Sequence, residues 1–336
     1  MNEQPTISVA ILTYKQEKTI RQTLNSVICQ KGDFSLEVII GDDHSPDGNR
    51  AICEEFAANY PFGGRVYVKL LPDEPNKGIM GNFARIMKHC TGDYVAICAG
   101  DDYWCDEYKL QKQLNYFSIY PDVGVVSTSG YKLLVRSNKL IPNAIAPYQP
   151  FLDGDVRKFY FSPDYKGGVY AMPLTLLIKR KILNYVDFDE YVRRKFPVED
   201  FPMQAVMSQH CKWGHIPDLT VVYRVYKGSA TFISYDDPNY MNYFKGLADI
   251  RRYLNELFPL DACITEDMLQ EDLFYKEFLL LLHQWRYQDA KALAQQCALH
   301  TPKVQLTREM TKNPLLFVLF RAYKEFYKHK ELMKRI

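Results

Sequence analysis

Short runs rich in β-branched residues alternate with helical patterns along the first part of the chain, and this alternation restricts the possible folds most strongly. The runs are residues 7–12, 38–40, 66–71, 94–99 and 123–126. Between them, apolar residues recur at helical spacing, as in Ile20, Leu24, Val27 and Ile28; in Met80, Phe83, Met87 and Cys90; and in Leu110, Leu114 and Phe117. Strands that are apolar on both faces and alternate with helices indicate a mostly parallel sheet flanked by helices. The sequence therefore predicts an α/β domain.

A change of pattern after residues 236–238 (Asp-Asp-Pro) predicts a second region. From about residue 131 to 235 the pattern is looser, with a helix predicted at 201–212 and a strand at 220–225. Helical patterns then cover 240–257, 266–284, 289–299 and 314–333. We therefore predict a domain of residues 1–235 followed by a helical C-terminal extension of residues 236–336.

Charge, hydropathy and cysteine usage exclude several classes of protein. The 42 Lys and Arg against 40 Asp and Glu are too balanced for a protein that mainly binds nucleic acid, so we expect no nucleic-acid partner. No apolar run approaches the length of about 18 residues that a transmembrane helix needs, and the N-terminus does not resemble a signal peptide. Eight scattered cysteines predict free thiols and a cytoplasmic location. His210, Cys211 and His215 fit no usual zinc-binding spacing and are expected to be packing residues.

Polar clusters follow three of the predicted strands. They are residues 13–14 (Thr-Tyr), residues 41–45 (Gly-Asp-Asp-His-Ser) and residues 100–104 (Gly-Asp-Asp-Tyr-Trp). In open parallel sheets the carboxyl ends of the strands lie at one edge, and ligands bind there. We therefore expect the three clusters to meet at a single site.

Asp42 and Asp43 allow two interpretations. The residues that follow them have good turn and N-cap chemistry, so the pair could simply begin the next helix. A carboxylate at this place can also bond the ring N–H of a pyrimidine or a ribose hydroxyl. Thr13 and Tyr14 would then complete a base pocket, with the Tyr14 ring as a stacking face.

Asp101 and Asp102 favour a metal site. Two adjacent carboxylates at the end of a buried strand repel one another unless a cation compensates them. Hard oxygen ligands of this kind suit Mg²⁺ or Mn²⁺, which would take further ligands from substrate phosphates. The alternative is an exposed acidic turn that caps the helix beginning near Lys109.

Two further segments could contribute to such a site. The loop of residues 75–82 leads into a helix, whose N-terminus favours anions, and Lys77 could offset phosphate charge. It lacks the Walker spacing, and no G-x-G-x-x-G follows the first strand. Glu199 and Asp200 open the predicted helix 201–212, either as caps or with one of them as a general base. Arg224 or Lys227, at the end of the strand 220–225, could meet a diphosphate.

Four motifs, in this order and spacing, resemble those of family 2 glycosyltransferases, the inverting enzymes with the GT-A fold. They are residues 8–14 (Ser-Val-Ala-Ile-Leu-Thr-Tyr), residues 40–48 (Ile-Gly-Asp-Asp-His-Ser-Pro-Asp-Gly), residues 76–78 (Asn-Lys-Gly) and residues 100–104, followed by Lys109 and Leu110. The resemblance covers about the first two-thirds of the chain. It implies a bacterial polysaccharide-type enzyme with a nucleotide-sugar donor, most often UDP-linked.

The resemblance also implies which residues bind the donor. Thr13, Tyr14, Asp42 and Asp43 would hold the base and ribose. The nucleotide-binding set further includes Glu17, Lys77, Gly78, Asn82 and Asp101. Asp101 and Asp102 match the metal motif of the family, with Asp102 as the direct ligand of Mg²⁺ or Mn²⁺.

Glu199 and Asp200 match the acidic base motif of the family, with Asp200 as the base. Residues 223–226 (Tyr-Arg-Val-Tyr) stand where many relatives carry Tyr-Arg-Val-His, and that His often helps to coordinate the metal. Tyr226 takes its place here, which either leaves coordination to phosphate and water or weakens metal binding. Arg224, Tyr226 and Lys227 are expected near the diphosphate.

The implied reaction is an in-line displacement that inverts the anomeric carbon, with a glycan or lipid-linked acceptor. Two other functions stay open. A catalytically inactive domain that binds a nucleotide sugar or a partner protein gains some support from Tyr226 in place of His, although both carboxylate pairs are intact. A sugar nucleotidyltransferase shares the layered sheet, but it usually carries a Gly-rich basic loop after the first strand, unlike residues 13–16 (Thr-Tyr-Lys-Gln).

The C-terminal residues 313–336 form a basic amphipathic pattern. Its apolar members are Leu315, Leu316, Val318, Leu319, Phe326 and Tyr327, and its cations are Arg321, Lys324, Lys328, Lys330, Lys334 and Arg335. Such a helix can lie on an anionic bilayer, or its apolar face can dock on the catalytic domain. We therefore carry two predictions for this helix, docking and peripheral contact with the inner face of the membrane.

Overall fold

The structure is a computed structural model that describes residues 4–143, 156–161, 171–226 and 234–335, without the side chains of residues 158 and 326–335. The contacts divide the chain into two compact units, Met1–Ser229 and Ala230–Ile336. This division falls close to the predicted boundary after residue 235, and the assignment of a separate role to each part stays a prediction.

The described part of the first unit is built on a nine-stranded sheet. Its strands are β1 (Thr6–Thr13), β2 (Ser35–Asp42), β3 (Val66–Leu70), β4 (Tyr94–Ala99), β5 (Tyr103–Trp104), β6 (Val123–Leu134), β7 (Lys139–Asn143), β8 (Leu177–Lys179) and β9 (Lys212–Val225). The order is β3-β2-β1-β4-β8-β6-β9-β5, with β7 paired to β6. Strands β3, β2, β1 and β4 are parallel to one another, β8 is antiparallel to both β4 and β6, and β9 runs parallel to β6. The predicted α/β class with a mostly parallel sheet is confirmed.

Helices in the first unit follow the predicted alternation with strands. They are α1 (Ile20–Ile28), α2 (Asn49–Asn59), α3 (Gly78–Met87), α4 (Lys109–Ile119), α5 (Arg157–Phe161), α6 (Arg180–Leu183), α7 (Phe188–Arg193) and α8 (Asp200–His210), with a 3-10 turn at Pro173–Thr175. The apolar faces of α1 and α4 pack on the central strands, where Ile11, Leu24 and Leu110 are completely buried in one cluster. Burial of each such side chain contributes about 1.5–3 kcal/mol. This core holds the loops at the carboxyl ends of β1, β2 and β4 in place.

The region between residues 123 and 225 differs most from the sequence-based expectation. Strand β6 continues to Leu134, well past the predicted residue 126, and the helix predicted to reach residue 212 ends at His210. Cys211 is extended (φ −158°, ψ 158°), and β9 starts at the next residue and pairs with β6 along its whole length. The pairing of β6 with β9 extends both strands beyond the lengths that the local sequence pattern predicts, because strand formation depends on the partner strand more than on the intrinsic preference of the residues.

The second unit is helical in its described residues. Its helices are α9 (Tyr240–Leu257), α10 (Glu266–His283), α11 (Tyr287–Gln296), α12 (Pro302–Met310) and α13 (Pro314–Arg335). Helix α12 was not predicted, although Thr301 caps it by accepting the Val304 N–H and Pro302 occupies the first turn, which are standard start signals. No helix in the described ranges is long and apolar enough to cross a membrane.

Candidate functional site

The carboxyl ends of β1, β2 and β4 meet at one edge of the sheet. Asp43 donates its backbone N–H to the carbonyl oxygen of Thr13 at 3.0 Å, and Gly100 donates to that of Leu12 at 2.8 Å. The order β3-β2-β1-β4 makes the gap between β1 and β4 a topological switch point, the place where open α/β sheets bind ligands. Residues 13–14, 42–45 and 100–102, here called the rim, are therefore brought together as predicted.

Gly100 allows the ends of β1 and β4 to approach closely. A Cβ atom at this position would stand 2.6 Å from Oγ1 of Thr13 and 2.4 Å from Oε1 of Gln16. The hydroxyl of Thr19 donates to the Gly100 carbonyl oxygen at 2.8 Å, and that of Thr23 donates to the Asp102 carbonyl oxygen at 2.6 Å. The start of α1 thus fixes the backbone that carries the second acidic pair.

Asp42 is fully buried, and its carboxylate accepts hydrogen bonds from other residues of the protein. Asn49 donates its Nδ2 to Oδ1 of Asp42 at 2.6 Å, and the Ser45 N–H donates to Oδ2 at 3.1 Å. Asn49 also accepts the hydroxyl of Thr13 at 2.9 Å. These bonds hold the loop after β2 against the end of β1, and a contact of Asp42 or Thr13 with a base or ribose stays a prediction.

Replacement of Asn49 by Ala is expected to destabilise the protein by about 1–3 kcal/mol, because it leaves a buried carboxylate and a buried hydroxyl without their partner. Urea denaturation measures the change in the free energy of unfolding. The exposed residue Asn59 at the end of the same helix supplies the control, since Asn59→Ala is expected to change stability by less than about 0.5 kcal/mol. Equal stability of the two variants would show that the bridge contributes nothing.

Asp43 joins the rim to the loop that precedes α3. Its Oδ1 accepts the Lys77 N–H at 2.8 Å, and its carbonyl oxygen accepts Nδ2 of Asn76 at 2.9 Å. Gly78 adopts φ +72°, a conformation that glycine reaches without strain, and α3 begins there. The bond from the Lys77 N–H to Asp43 places Lys77 and Gly78 beside the rim, and the Lys77 ammonium forms an ion pair with Glu74 at 2.9 Å.

Asn82, Glu17 and Tyr14, which were also predicted to bind the nucleotide, differ in their contacts and in their exposure. Asn82 is buried and donates to a carbonyl oxygen of β2 at 2.7 Å, so it ties α3 to the sheet. Glu17 accepts the Gly48 N–H at 2.8 Å. Tyr14, directly after β1, is 41% exposed, as a stacking residue requires.

The strand pair β5–β9 brings two predicted diphosphate residues to the acidic pair. The Arg224 N–H donates to Oδ1 of Asp102 at 2.8 Å, and the Tyr226 hydroxyl donates to Oδ2 of Asp101 at 2.8 Å. Both contacts arise because β5, directly after Asp102, runs antiparallel to β9. Lys227, the third predicted residue, lies outside the described part of the chain.

The Arg224 guanidinium stabilises the backbone of the rim. It donates to the carbonyl oxygen of Asp101 and to Oε1 of Gln22, and it lies 4.8 Å from the centre of the Tyr103 ring. Arg224 is only 9% exposed. Its guanidinium therefore makes its hydrogen bonds within the protein, and a direct contact with a diphosphate stays a prediction.

The donor set at Asp101 and Asp102 fits a divalent cation. Each carboxylate has one oxygen bonded within the protein, and no hydrogen bond from a described residue reaches the other oxygen. Burial, and then the charge of Asp101, raise the pKa of Asp102, so the pair lacks full compensation by cations. No group of three His, Cys, Asp or Glu within the described ranges is arranged to hold a metal ion. A cation bound here would complete its coordination with phosphate and water.

Glu199 and Asp200 begin helix α8. The Phe201 N–H donates to Oδ1 of Asp200 at 2.7 Å. Burial raises the pKa of both carboxyl groups, and the charge of Asp200 raises that of Glu199 further. A carboxylate with a raised pKa is suited to accept a proton near neutral pH. No hydrogen bond in the described structure joins this pair to the rim, so their catalytic role stays a prediction.

Several residues that shape the site were not predicted from the sequence, among them Gln22, Thr23 and Asn49. Each lies in the first turn of the helix that follows β1 or β2. Polar side chains at such positions point toward the edge where ligands bind in open α/β sheets. A polar residue in the first turn of a helix that follows β1 or β2 is therefore the sequence signal by which these three residues could have been predicted.

Comparisons with known proteins agree with this architecture. The family model described as glycosyl transferase family 2 matches residues 8–170. An uncharacterized protein of Mycobacterium tuberculosis is 38% identical over 119 residues, which is 35% of this chain and 33% of that protein. This chain therefore spans about a third of the length of that relative.

Two solved structures share the fold. One is Staphylococcus aureus TarS 1-349 in complex with UDP-GlcNAc, with a TM-score of 0.54, 16% identity and coverage of 97% of this chain and 92% of that one. The other is a mannosyltransferase from Pyrobaculum calidifontis in complex with GDP-Man and Mn²⁺, with a TM-score of 0.51, 16% identity and coverage of 97% and 88%. The GT-A-type fold is thus confirmed, and residues 8–170 of the chain are similar to glycosyl transferase family 2.

Proposed function

We propose that this protein is an inverting glycosyltransferase that moves a sugar from a nucleoside-diphosphate donor to an acceptor hydroxyl. The observation that carries the proposal is that Asp43, Asp101 and Asp102 all lie at the rim, after β2 and β4, the two strands that flank β1. The match of residues 8–170 to the model of glycosyl transferase family 2 supports the activity. The UDP-GlcNAc bound by TarS and the GDP-Man bound by the mannosyltransferase support a nucleotide-sugar donor. We take UDP as the first nucleotide to test.

The donor would bind along the rim. The exposed Tyr14 ring offers a face on which the base can stack, and Asp43, which follows β2, bonds the carbonyl oxygen of the neighbouring Thr13. The Lys77 loop provides a cation and the start of a helix for phosphate oxygens. Asp101 and Asp102 would hold Mg²⁺ or Mn²⁺, which when bound offsets the negative charge of the departing diphosphate.

Asp200 would act as the general base. In a single displacement, the acceptor oxygen forms a bond to the anomeric carbon while the bond from that carbon to the diphosphate oxygen breaks. The acceptor proton passes to Asp200, and the nucleoside diphosphate leaves with the electron pair of the broken bond. Attack from the face opposite the leaving group inverts the configuration, and no sugar–enzyme bond forms.

The acceptor and the location belong to the same proposal. A glycan or lipid-linked hydroxyl is the acceptor class that the family resemblance implies. All eight cysteines are free thiols, which supports a reducing compartment such as the cytoplasm.

A thermal-shift screen of the full chain tests the donor. We expect one of UDP-glucose, UDP-N-acetylglucosamine and GDP-mannose to raise Tm in the presence of Mn²⁺ and to be hydrolysed slowly to the nucleoside diphosphate. NMR of the released sugar, at early times, should show the anomer opposite to that of the donor. Retention of configuration, or a donor panel that leaves Tm unchanged, would contradict the proposal.

A second candidate function is a catalytically inactive domain that binds a nucleotide sugar. The hydrogen bond from Tyr226 to Asp101 favours it, because it occupies a carboxylate oxygen that would otherwise face a cation. Binding of a donor without hydrolysis, with or without metal, would support this candidate.

A further inference from the structure

The last helix of the second unit carries an exposed apolar stripe. Its members on α13 are Leu315, Val318, Leu319, Ala322 and Tyr323, all of them exposed. They follow one another at alternating steps of three and one, so they lie on one face of the helix over two turns. Leu315 is 65% exposed and Leu319, one turn further on, is 56% exposed, so the stripe is a contiguous apolar surface and not a single exposed leucine.

The stripe is not the face that holds α13 in its unit. Phe317 and Phe320 are buried on the opposite side, in a cluster with Phe278 of α10 and Ala290 of α11. The ring centres of Phe278 and Phe317 lie 6.4 Å apart in an edge-to-face arrangement. The helix is therefore apolar on two sides, and only one of them is satisfied by packing within the unit.

The helix that carries the stripe has a net positive charge. Residues 314–335 contain six Lys and Arg against two Glu. The Arg321 guanidinium lies 3.8 Å from the centre of the exposed Trp285 ring and donates to the Leu282 carbonyl oxygen at 3.0 Å. The Lys324 ammonium lies 5.2 Å from the Phe320 ring. These contacts hold Arg321 and Lys324 on the packed side of α13. Lys330 and Lys334 follow Tyr323 at steps of seven and four residues, so the side of the helix that bears the stripe continues into positive charge.

We propose that α13 binds the surface of an anionic phospholipid bilayer, with the stripe in contact with the acyl chains and the cations near the headgroups. An exposed apolar face on a helix of net positive charge is the pattern of helices that lie in the membrane interface. A second copy of the chain fits less well, because two such helices would bring like charges together. This binding is independent of the proposed sugar transfer, and either can fail alone.

Co-sedimentation of the full chain with vesicles tests the proposal. We expect binding to vesicles that contain phosphatidylglycerol, much weaker binding to phosphatidylcholine alone, and a loss of binding at high salt. The double variant Leu315→Asn/Leu319→Asn should bind the anionic vesicles at least about tenfold more weakly, because it loses two apolar anchors. The double variant Leu257→Asn/Leu260→Asn, at two exposed leucines of the same unit, is the matched control and should bind as the unchanged protein does.

Unchanged thermal unfolding of both double variants would show that each is folded. The proposal is overturned if the stripe variant binds anionic vesicles as well as the control does, or if neither the unchanged protein nor the control binds them. A dimer of the unchanged protein that the stripe variant converts to a monomer, without vesicle binding, would assign the stripe to a second copy instead.

Discussion

Asp102→Asn is expected to lower kcat/KM for donor turnover by about a thousandfold. The substitution keeps the shape of the side chain, and its Oδ1 can still accept the Arg224 N–H, so the link between the rim and β9 stays intact. It removes the buried negative charge that would hold the cation beside the leaving diphosphate. Initial rates of donor hydrolysis over a range of Mn²⁺ concentrations measure the effect.

Stability separates loss of function from loss of folding in this variant. Asp102 is buried next to another carboxylate, and both features disfavour its charged form. Neutralising it should therefore leave Tm unchanged or raise it. Asp218→Asn is the control, because that exposed carboxylate pairs with Lys112 on the surface and contributes little. Normal turnover with a normal Mn²⁺ response in Asp102→Asn would refute the role of this residue.

Asp200→Asn is expected to lower kcat by about 10²–10⁴-fold with little change in the KM for the donor, because only proton removal from the acceptor is lost. Asn is isosteric with Asp, and its Oδ1 can accept the Phe201 N–H in the same way. Asp189→Asn, at a surface carboxylate paired with Lys88, provides the control. A rise in donor KM with unchanged kcat would place Asp200 in donor binding instead.

The pH dependence gives a second check on Asp200. A base must be deprotonated to act, and burial raises the pKa of this carboxyl group. Activity should therefore fall as the pH is lowered, at a higher pH than for an ordinary aspartate. The residual activity of Asp200→Asn should lose this acid limb. The pKa of Glu199 is raised too. If an acid limb remains in Asp200→Asn, the variant Glu199→Gln would test whether Glu199 is its source.

Predictions from local sequence were most accurate where a pattern is long or flanked by clear signals. The strand 94–99 and the helix 240–257 were predicted to the residue, and the convergence of three strand ends at one rim followed from their parallel order. Strands β5, β7 and β8 were not predicted. They are short, and each exists because a neighbouring strand offers hydrogen bonds to it.

The roles within each acidic pair could not be separated from sequence. Asp42 ends β2 and turns inward to Asn49, whereas Asp43 turns toward the Lys77 loop. Asp101 receives the Tyr226 hydroxyl, and Asp102 receives the Arg224 N–H. These contacts join residues that are far apart in the chain, and no local pattern encodes them.

The sequence by itself determined the order of the polar motifs and the alternation of strands and helices, because apolar periodicity is a local property of the chain. The common edge of the motifs followed, because strands connected through helices are parallel and end on the same side of the sheet. Only the tertiary structure decided that β9 returns beside β5 to place Arg224 and Tyr226 on the acidic pair. Pairing between distant strands depends on the whole sheet, since each strand gains its hydrogen bonds only when its partner is in place.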